Sequence, residues 1–119
     1  MKISVVIPAR NEEEQLGAQL DALLSQNWEG AWEVLVIDNG STDGTADLVH
    51  EYARRSPRIH YLRAAEVADQ SYAANVGVAA SDADAVVFCD GDDIVALVLL
   101  DAGTITQDEF AKLKAKALG

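Results

Sequence analysis

Basic residues, cysteine, proline and long apolar runs are all scarce in this chain, and each shortage closes off a class of protein. Nine Lys and Arg stand against 20 Asp and Glu, for a formal net charge of −11. A field of that sign repels bare nucleic acid and anionic membrane surfaces at long range, and suits cation binding or plain solubility. Residues 94–119 balance three acids with three lysines, so the whole imbalance lies in residues 1–93. The one cysteine, Cys89, excludes an intramolecular disulfide and, inside an apolar run, reads as a small buried hydrophobe. No apolar stretch approaches the roughly 20 residues of a membrane span. The apolar run Ile3 to Ile7 is too short for a signal peptide. The expected location is therefore the cytoplasm. There is no internal repeat and no low-complexity linker.

What the chain does have is a core. Half of its 119 residues are hydrophobic, which suits one domain with a small appendage. Ile3 to Ile7 is β-branched and barely alternates, as in a strand buried on both faces, and Pro8 stops it. Asn11 then offers a helix cap, with Glu12, Glu13 and Glu14 in the expected first turn. Leu16, Leu20, Leu23 and Leu24 recur at helical spacing. Val34 to Ile37 predicts a second strand. Thr45 or Asp43 suits the cap of a helix carrying Leu48, Val49, Tyr52 and Ala53, which Ser56-Pro57 ends. Ile59 to Leu62 predicts a third strand, Ser71 to Ala80 a helix, and Ala85 to Cys89 a fourth strand. Strands alternating with helices of this length predict βαβ units and a mostly parallel sheet with helices on its faces.

The tail reads as helical. Ile94 to Asp101 is apolar enough for a helix that Gly103 closes, and Thr106-Gln-Asp-Glu109 is a capping box before Phe110, Leu113 and Leu118. A helical hairpin over 94–119 is the expected outcome.

Two acid-rich segments follow predicted strands: Asp38-Asn-Gly-Ser-Thr-Asp43-Gly-Thr45 and Asp90-Gly-Asp92-Asp93. Carboxylates in those places stand at the carboxyl ends of a sheet, where open α/β folds bind ligands. Asp90 and Asp92 can hold Mg²⁺ or Mn²⁺, hard cations that take carboxylate oxygens together with substrate phosphates. Gly91 leaves room for a diphosphate. The same four residues also fit an ordinary strand-to-helix turn. Pro8, Ala9, Arg10, Asn11 and Glu12 form a second edge of the crevice, with Arg10 suited to a phosphate or to solvent. Asp38 is placed to accept hydrogen bonds from a base or ribose, whereas Asp43 fits a turn. His50 and His60 lack metal-ligand spacing and fit a surface helix and an ordinary strand position.

In order along the chain, Ile3-Ser-Val-Val-Ile-Pro8 with Asn11-Glu12, Val36-Ile-Asp38-Asn-Gly-Ser-Thr-Asp-Gly-Thr45, Ala73-Ala-Asn75-Val-Gly77 and Phe88-Cys-Asp90-Gly-Asp-Asp93 resemble the amino-terminal half of a family-2 glycosyltransferase of the GT-A fold. The resemblance covers residues 1 to about 93. It implies a partial GT-A, Rossmann-like sheet that binds a nucleoside-diphosphate sugar. The implied contacts are Pro8 to Glu12, Asp38, Asn75, Asp90 and Gly91, with Asp90 and Asp92 around a divalent cation. Where the family often carries a glycine and a basic residue near 69 and 70, or an arginine at 74, this chain has Asp69, Gln70 and Ala74. The acceptor half that supplies the family's catalytic base has no counterpart after Asp93. Asp101, Asp108 and Glu109 match no base motif, so the catalytic residue is unassigned and turnover by this chain alone is not expected. Residues 99–118 in turn resemble the short carboxy-terminal domain called SHOCT, which implies oligomerisation or another interaction, while two short amphipathic helices equally fit packing on the open sheet edge of their own domain. A homo-oligomer, through that hairpin or through an open sheet edge, is the alternative: a non-catalytic interaction protein on a truncated transferase scaffold.

Overall fold

The computed structural model describes residues 2–26, 30–90 and 93–99, the last segment by its backbone. Eight elements alternate: β1 (Ile3–Ala9), α1 (Leu16–Leu24), β2 (Trp32–Asp38), α2 (Thr45–Arg55), β3 (Ile59–Arg63), α3 (Gln70–Ala80), β4 (Ala85–Asp90) and β5 (Asp93–Leu99). They form one sheet in the order β3-β2-β1-β4-β5, in which β1 to β4 are parallel and β5 is antiparallel to β4. The predicted mixed α/β architecture with a parallel sheet is the one observed. From β1 the chain winds outward to β2 and β3, then returns to place β4 on the other side of β1. That reversal is the topological switch point, where such sheets open a crevice at their carboxyl ends.

Both faces of the sheet are covered, so its strands are apolar on both sides. Ile3, Val5, Ile7, Val34, Val36, Val87 and Cys89 pack with Leu16, Leu20 and Leu23 of α1 and Val49 and Tyr52 of α2. Fully buried leucines such as Leu16 and Leu20 contribute roughly 1.5–3 kcal/mol each. Val6, Leu35, Ile37 and Val86 face the other way, towards Ala73 of α3. The approach of α3 is close because of Gly77: a Cβ there would sit 2.5 Å from Val6 Cγ1. Ser56, extended at φ −138°, ends α2 before Pro57, as expected.

Two expectations fail. The first helix does not begin at Asn11, which has φ +54°. α1 begins at Leu16 with no side-chain cap and no acid in its first turn, because Asn11 has spent its amide oxygen elsewhere. The second concerns residues 94–99, expected as the first arm of a helical hairpin. They are strand, paired with β4 from Asp90↔Asp93 to Ala85↔Leu99 across an irregularity between Phe88 and Cys89. An apolar Val- and Leu-rich run suits helix or strand, and a neighbour with unpaired backbone groups decides the matter. β5 thereby pairs the side of β4 away from β1. Residues 100–119, with the capping box and the SHOCT-like pattern, lie outside the described residues.

Candidate nucleotide-binding site

The turn after β1 and the loop after β2 are stitched together at the carboxyl edge of the sheet. Asn11 Oδ1 accepts from Thr42 N at 2.8 Å and Asp43 N at 3.3 Å, and Asn11 N donates to Ser41 Oγ at 3.0 Å. Glu12 N donates to buried Thr45 Oγ1 at 2.9 Å, and Gly44 N donates to Glu13 Oε2 at 3.1 Å. The Asn39 amide donates to Ala9 O at 2.8 Å. Asp43 Oδ1 accepts from Thr45 N and Oγ1 at 2.9 and 2.6 Å, serving the start of α2 as expected. Those bonds, the Thr45 side chain first, hold the Asp43 carboxyl below its usual range.

Asp38 ends β2 and is fully buried. Its Oδ1 accepts from Ser41 N at 2.7 Å, its Oδ2 accepts from Tyr61 Oη at 2.6 Å, and Arg63 Nη1 lies 3.7 Å from Oδ2. Burial pushes this carboxyl up, but the Tyr61 and Ser41 bonds and the Arg63 charge outweigh it and leave it below its ordinary value. Burial and the Asp38 carboxylate push the Tyr61 phenol up in turn. Asp38 therefore shapes the loop from beneath, with both oxygens engaged by its own chain.

Beside it opens a cavity of about 230 Å³ lined by Pro8, Ala9, Arg10, Glu12, Asn39, Ala68 and Gln70. Arg10 is exposed there and forms no ion pair with any described side chain. Asn39 is only 6% exposed, and its Nδ2 donates to Ala64 O at 2.7 Å and Val67 O at 2.9 Å. The opposite amide orientation would press Oδ1 against two carbonyl oxygens, so the orientation is fixed. Asn39 Oδ1 is left as a buried acceptor with no partner among the described residues.

Of the residues singled out in the sequence, Pro8, Ala9, Arg10 and Glu12 do come together in the cavity lining. Asn11 turns its side chain into the neighbouring loop instead. Asn75 is exposed on α3 and takes no part in the lining. Asp90 ends β4, one strand across the switch point from the Arg10 turn. Gly91 and Asp92 lie outside the described residues. Among the described residues no group of three or more His, Cys, Asp or Glu is placed to hold a metal. Asn39, Ala68 and Gln70 are lining residues that attention to acids passed over. Gln70 was visible as a departure from the family pattern, and Asn39 sits inside the quoted Asp38 motif.

The pattern of the family described as Glycosyl transferase family 2 matches residues 4–98. The chain belongs to this family. Glycosyltransferase AglE of Haloferax volcanii is 35% identical over 91 residues, 76% of this chain and 30% of AglE. Among solved structures, Staphylococcus aureus TarS 1-349 in complex with UDP superposes with a TM-score of 0.70 at 28% identity, over 78% of this chain and 28% of TarS. The mannosyltransferase PcManGT of Pyrobaculum calidifontis, in complex with GDP-Man and Mn²⁺, does so with a TM-score of 0.70 at 28% identity, over 76% of this chain and 27% of PcManGT. The chain thus spans about a third or less of the length of the relatives it matches. Nucleotide-sugar transferases share its sheet, its switch point and its GT-A-like fold. No helix among the described residues is long and apolar enough to cross a membrane.

Proposed function

We propose that this family-2 domain binds a nucleoside-diphosphate sugar in the crevice at the carboxyl ends of β1, β2 and β4. The observation that carries the reading is Asn39, a buried lining residue whose Oδ1 has no partner among the described residues, in a cavity whose rim holds exposed Arg10. A buried acceptor without a partner costs about 1–3 kcal/mol, which a ligand N–H bound there offsets. The ring or exocyclic N–H of a base suits Asn39, with Asp38 fixing the loop that carries it. Arg10 takes a phosphate as a charge-assisted partner, the more so because Gln70 supplies no charge. The carboxylates of Asp90 and Asp92 are the hard oxygen donors that Mg²⁺ or Mn²⁺ prefers, and Gly91 leaves space beside them. Such a cation, when bound, neutralises diphosphate charge and stabilises it as a leaving group. Structures of relatives holding UDP, or GDP-Man with Mn²⁺, support this reading.

The reading covers donor binding only. Inverting transfer also needs a carboxylate within hydrogen-bond reach of the acceptor hydroxyl, and no described residue takes that place. Calorimetric titration with UDP and with GDP, each with and without Mn²⁺, tests the proposal. The expected result is metal-dependent binding of one of them, lost in Asp92→Asn. No binding of any nucleoside diphosphate overturns it.

One observation favours the second reading, a non-catalytic oligomerising protein. Among the described residues β5 is an edge strand, and after Asp93 its sequence Ile94-Val-Ala-Leu-Val-Leu99 carries no charge or proline to discourage pairing with another copy. The opposite edge, β3, carries Arg58, His60 and Arg63 at or beside it. Sedimentation at high concentration tests this. A dimer is expected on this reading, and a sharp monomer counts against it.

A further inference from the structure

We infer that Asn11 is a positioning residue, which holds Arg10 and Glu12 in the cavity by locking the turn after β1 onto the loop after β2. The inference rests on the cavity being a nucleotide site. Residues 10 and 12 both line the cavity while residue 11 does not. The direction in which the chain carries these two residues is set by the backbone of the residue between them. At φ +54°, Asn11 is the one non-glycine residue with positive φ among those described, and it turns the chain sharply as it leaves β1. Asn tolerates the left-handed region better than most residues, because its short polar side chain can bond locally.

The left-handed turn is held by three contacts with residues 30 or more positions away. Thr42 N and Asp43 N both donate to Asn11 Oδ1, and Asn11 N donates to Ser41 Oγ. Thr42 Oγ1 stands 3.4 Å from the same Oδ1. The strained residue is thus over-determined by its surroundings, the condition under which strain persists at functional sites. Glu12 N is carried onto Thr45 Oγ1 as part of the same lock. Without the Asn11 carboxamide, two loop amides lose their acceptor and the turn is free to leave its left-handed conformation, which re-aims the chain that carries Arg10 and Glu12.

Three variants separate the parts of this claim: Asn11→Ala, which loses lock and left-handed preference; Asn11→Gly, which keeps only the backbone freedom; and Asn11→Asp, which keeps an oxygen acceptor. Amide hydrogen exchange at Thr42 and Asp43 is read on the ligand-free chain, and affinity is read by titration with UDP or GDP plus Mn²⁺. In Asn11→Ala and Asn11→Gly both amides are expected to exchange at least about tenfold faster. Nucleotide affinity in both is expected to fall roughly tenfold, the size of one or two lost hydrogen bonds. Asn11→Asp is expected to keep the amides slow and to recover most of the affinity lost in Asn11→Ala. The inference is overturned if Asn11→Gly binds as the native chain does, or if Asn11→Asp keeps both amides protected yet binds as weakly as Asn11→Ala. Failure of the native chain to bind any nucleoside diphosphate defeats the cavity reading itself and this inference with it. Native binding with unchanged Asn11→Gly binding defeats this inference alone.

Discussion

The turn after β1 and the loop after β2 each turn on an asparagine, and the two are used in opposite ways. Asn11 is exposed and left-handed, and its amide oxygen is consumed by the backbone of the other loop. Asn39 is buried, and its amide hydrogens are consumed by the carbonyls of Ala64 and Val67, which leaves its oxygen without a partner among the described residues. One residue type thus serves as a lock in the first case and as an anchor in the second. The difference comes from which end of the carboxamide the chain itself satisfies. An exposed side chain whose oxygen is taken up by its own chain builds shape, and a buried one whose oxygen is left over is where a ligand gains the most.

The largest effect expected from breaking this comparison is at Asn39. Asn39→Ala strips the buried carbonyl of Ala64 and the partly buried carbonyl of Val67 of their donor and should cost about 1–3 kcal/mol in denaturant unfolding. The same change should weaken nucleotide binding at least about tenfold, through loss of the Oδ1 acceptor. Unchanged stability in Asn39→Ala would mean that the two carbonyls do not depend on the Asn39 amide.

Asp38 lies between the two loops and adds a pH dependence. Its carboxyl is held below its ordinary value in the fold. Its stabilisation is therefore fully present above the unfolded value of about 3.9 and is lost as pH falls through the lower folded value. Thermal unfolding followed from pH 6 down to pH 2 should show the loss below about pH 4, and Asp38→Asn should flatten that limb. An unchanged acid limb in the variant would assign the loss to other carboxylates.

The smallest change in stability is expected at Arg10. Exposed and without an ion-pair partner among the described side chains, it should alter unfolding by less than about 0.5 kcal/mol on Arg10→Gln. Nucleotide diphosphate binding should nevertheless weaken by about tenfold, the worth of one charge-assisted contact. A loss of stability without a loss of binding would reverse the assignment and make Arg10 part of the scaffold.

Much of the fold is legible in the sequence. The leucines of α1, the Val49 and Tyr52 face of α2 and the β-branched runs of the four parallel strands lie where periodicity places them. The helix cap at Asn11 is not legible. A sequence window sees an asparagine before three glutamates, and the acceptors and donors that claim it lie at residues 41–43. Likewise Ile94 to Leu99 carries no local feature that rejects a helix; pairing with β4 makes it a strand. In the site, Pro8, Ala9, Arg10 and Glu12 line one cavity, as four neighbours along one turn can. The reading of the sequence passed over Asn39, a neutral amide in the cavity lining, because an acid beside it attracts attention to charge.

The alternation of strand and helix, the apolar faces and the placing of acid and glycine after buried strands were settled by the sequence alone, because hydrophobic period and turn chemistry act between residues close along the chain. The uses of Asn11 and Asn39, the burial of Asp38 under Tyr61 and Arg63, and the strand at β5 were settled only by the tertiary structure. Each of these depends on which distant backbone group needs a partner once the sheet has closed.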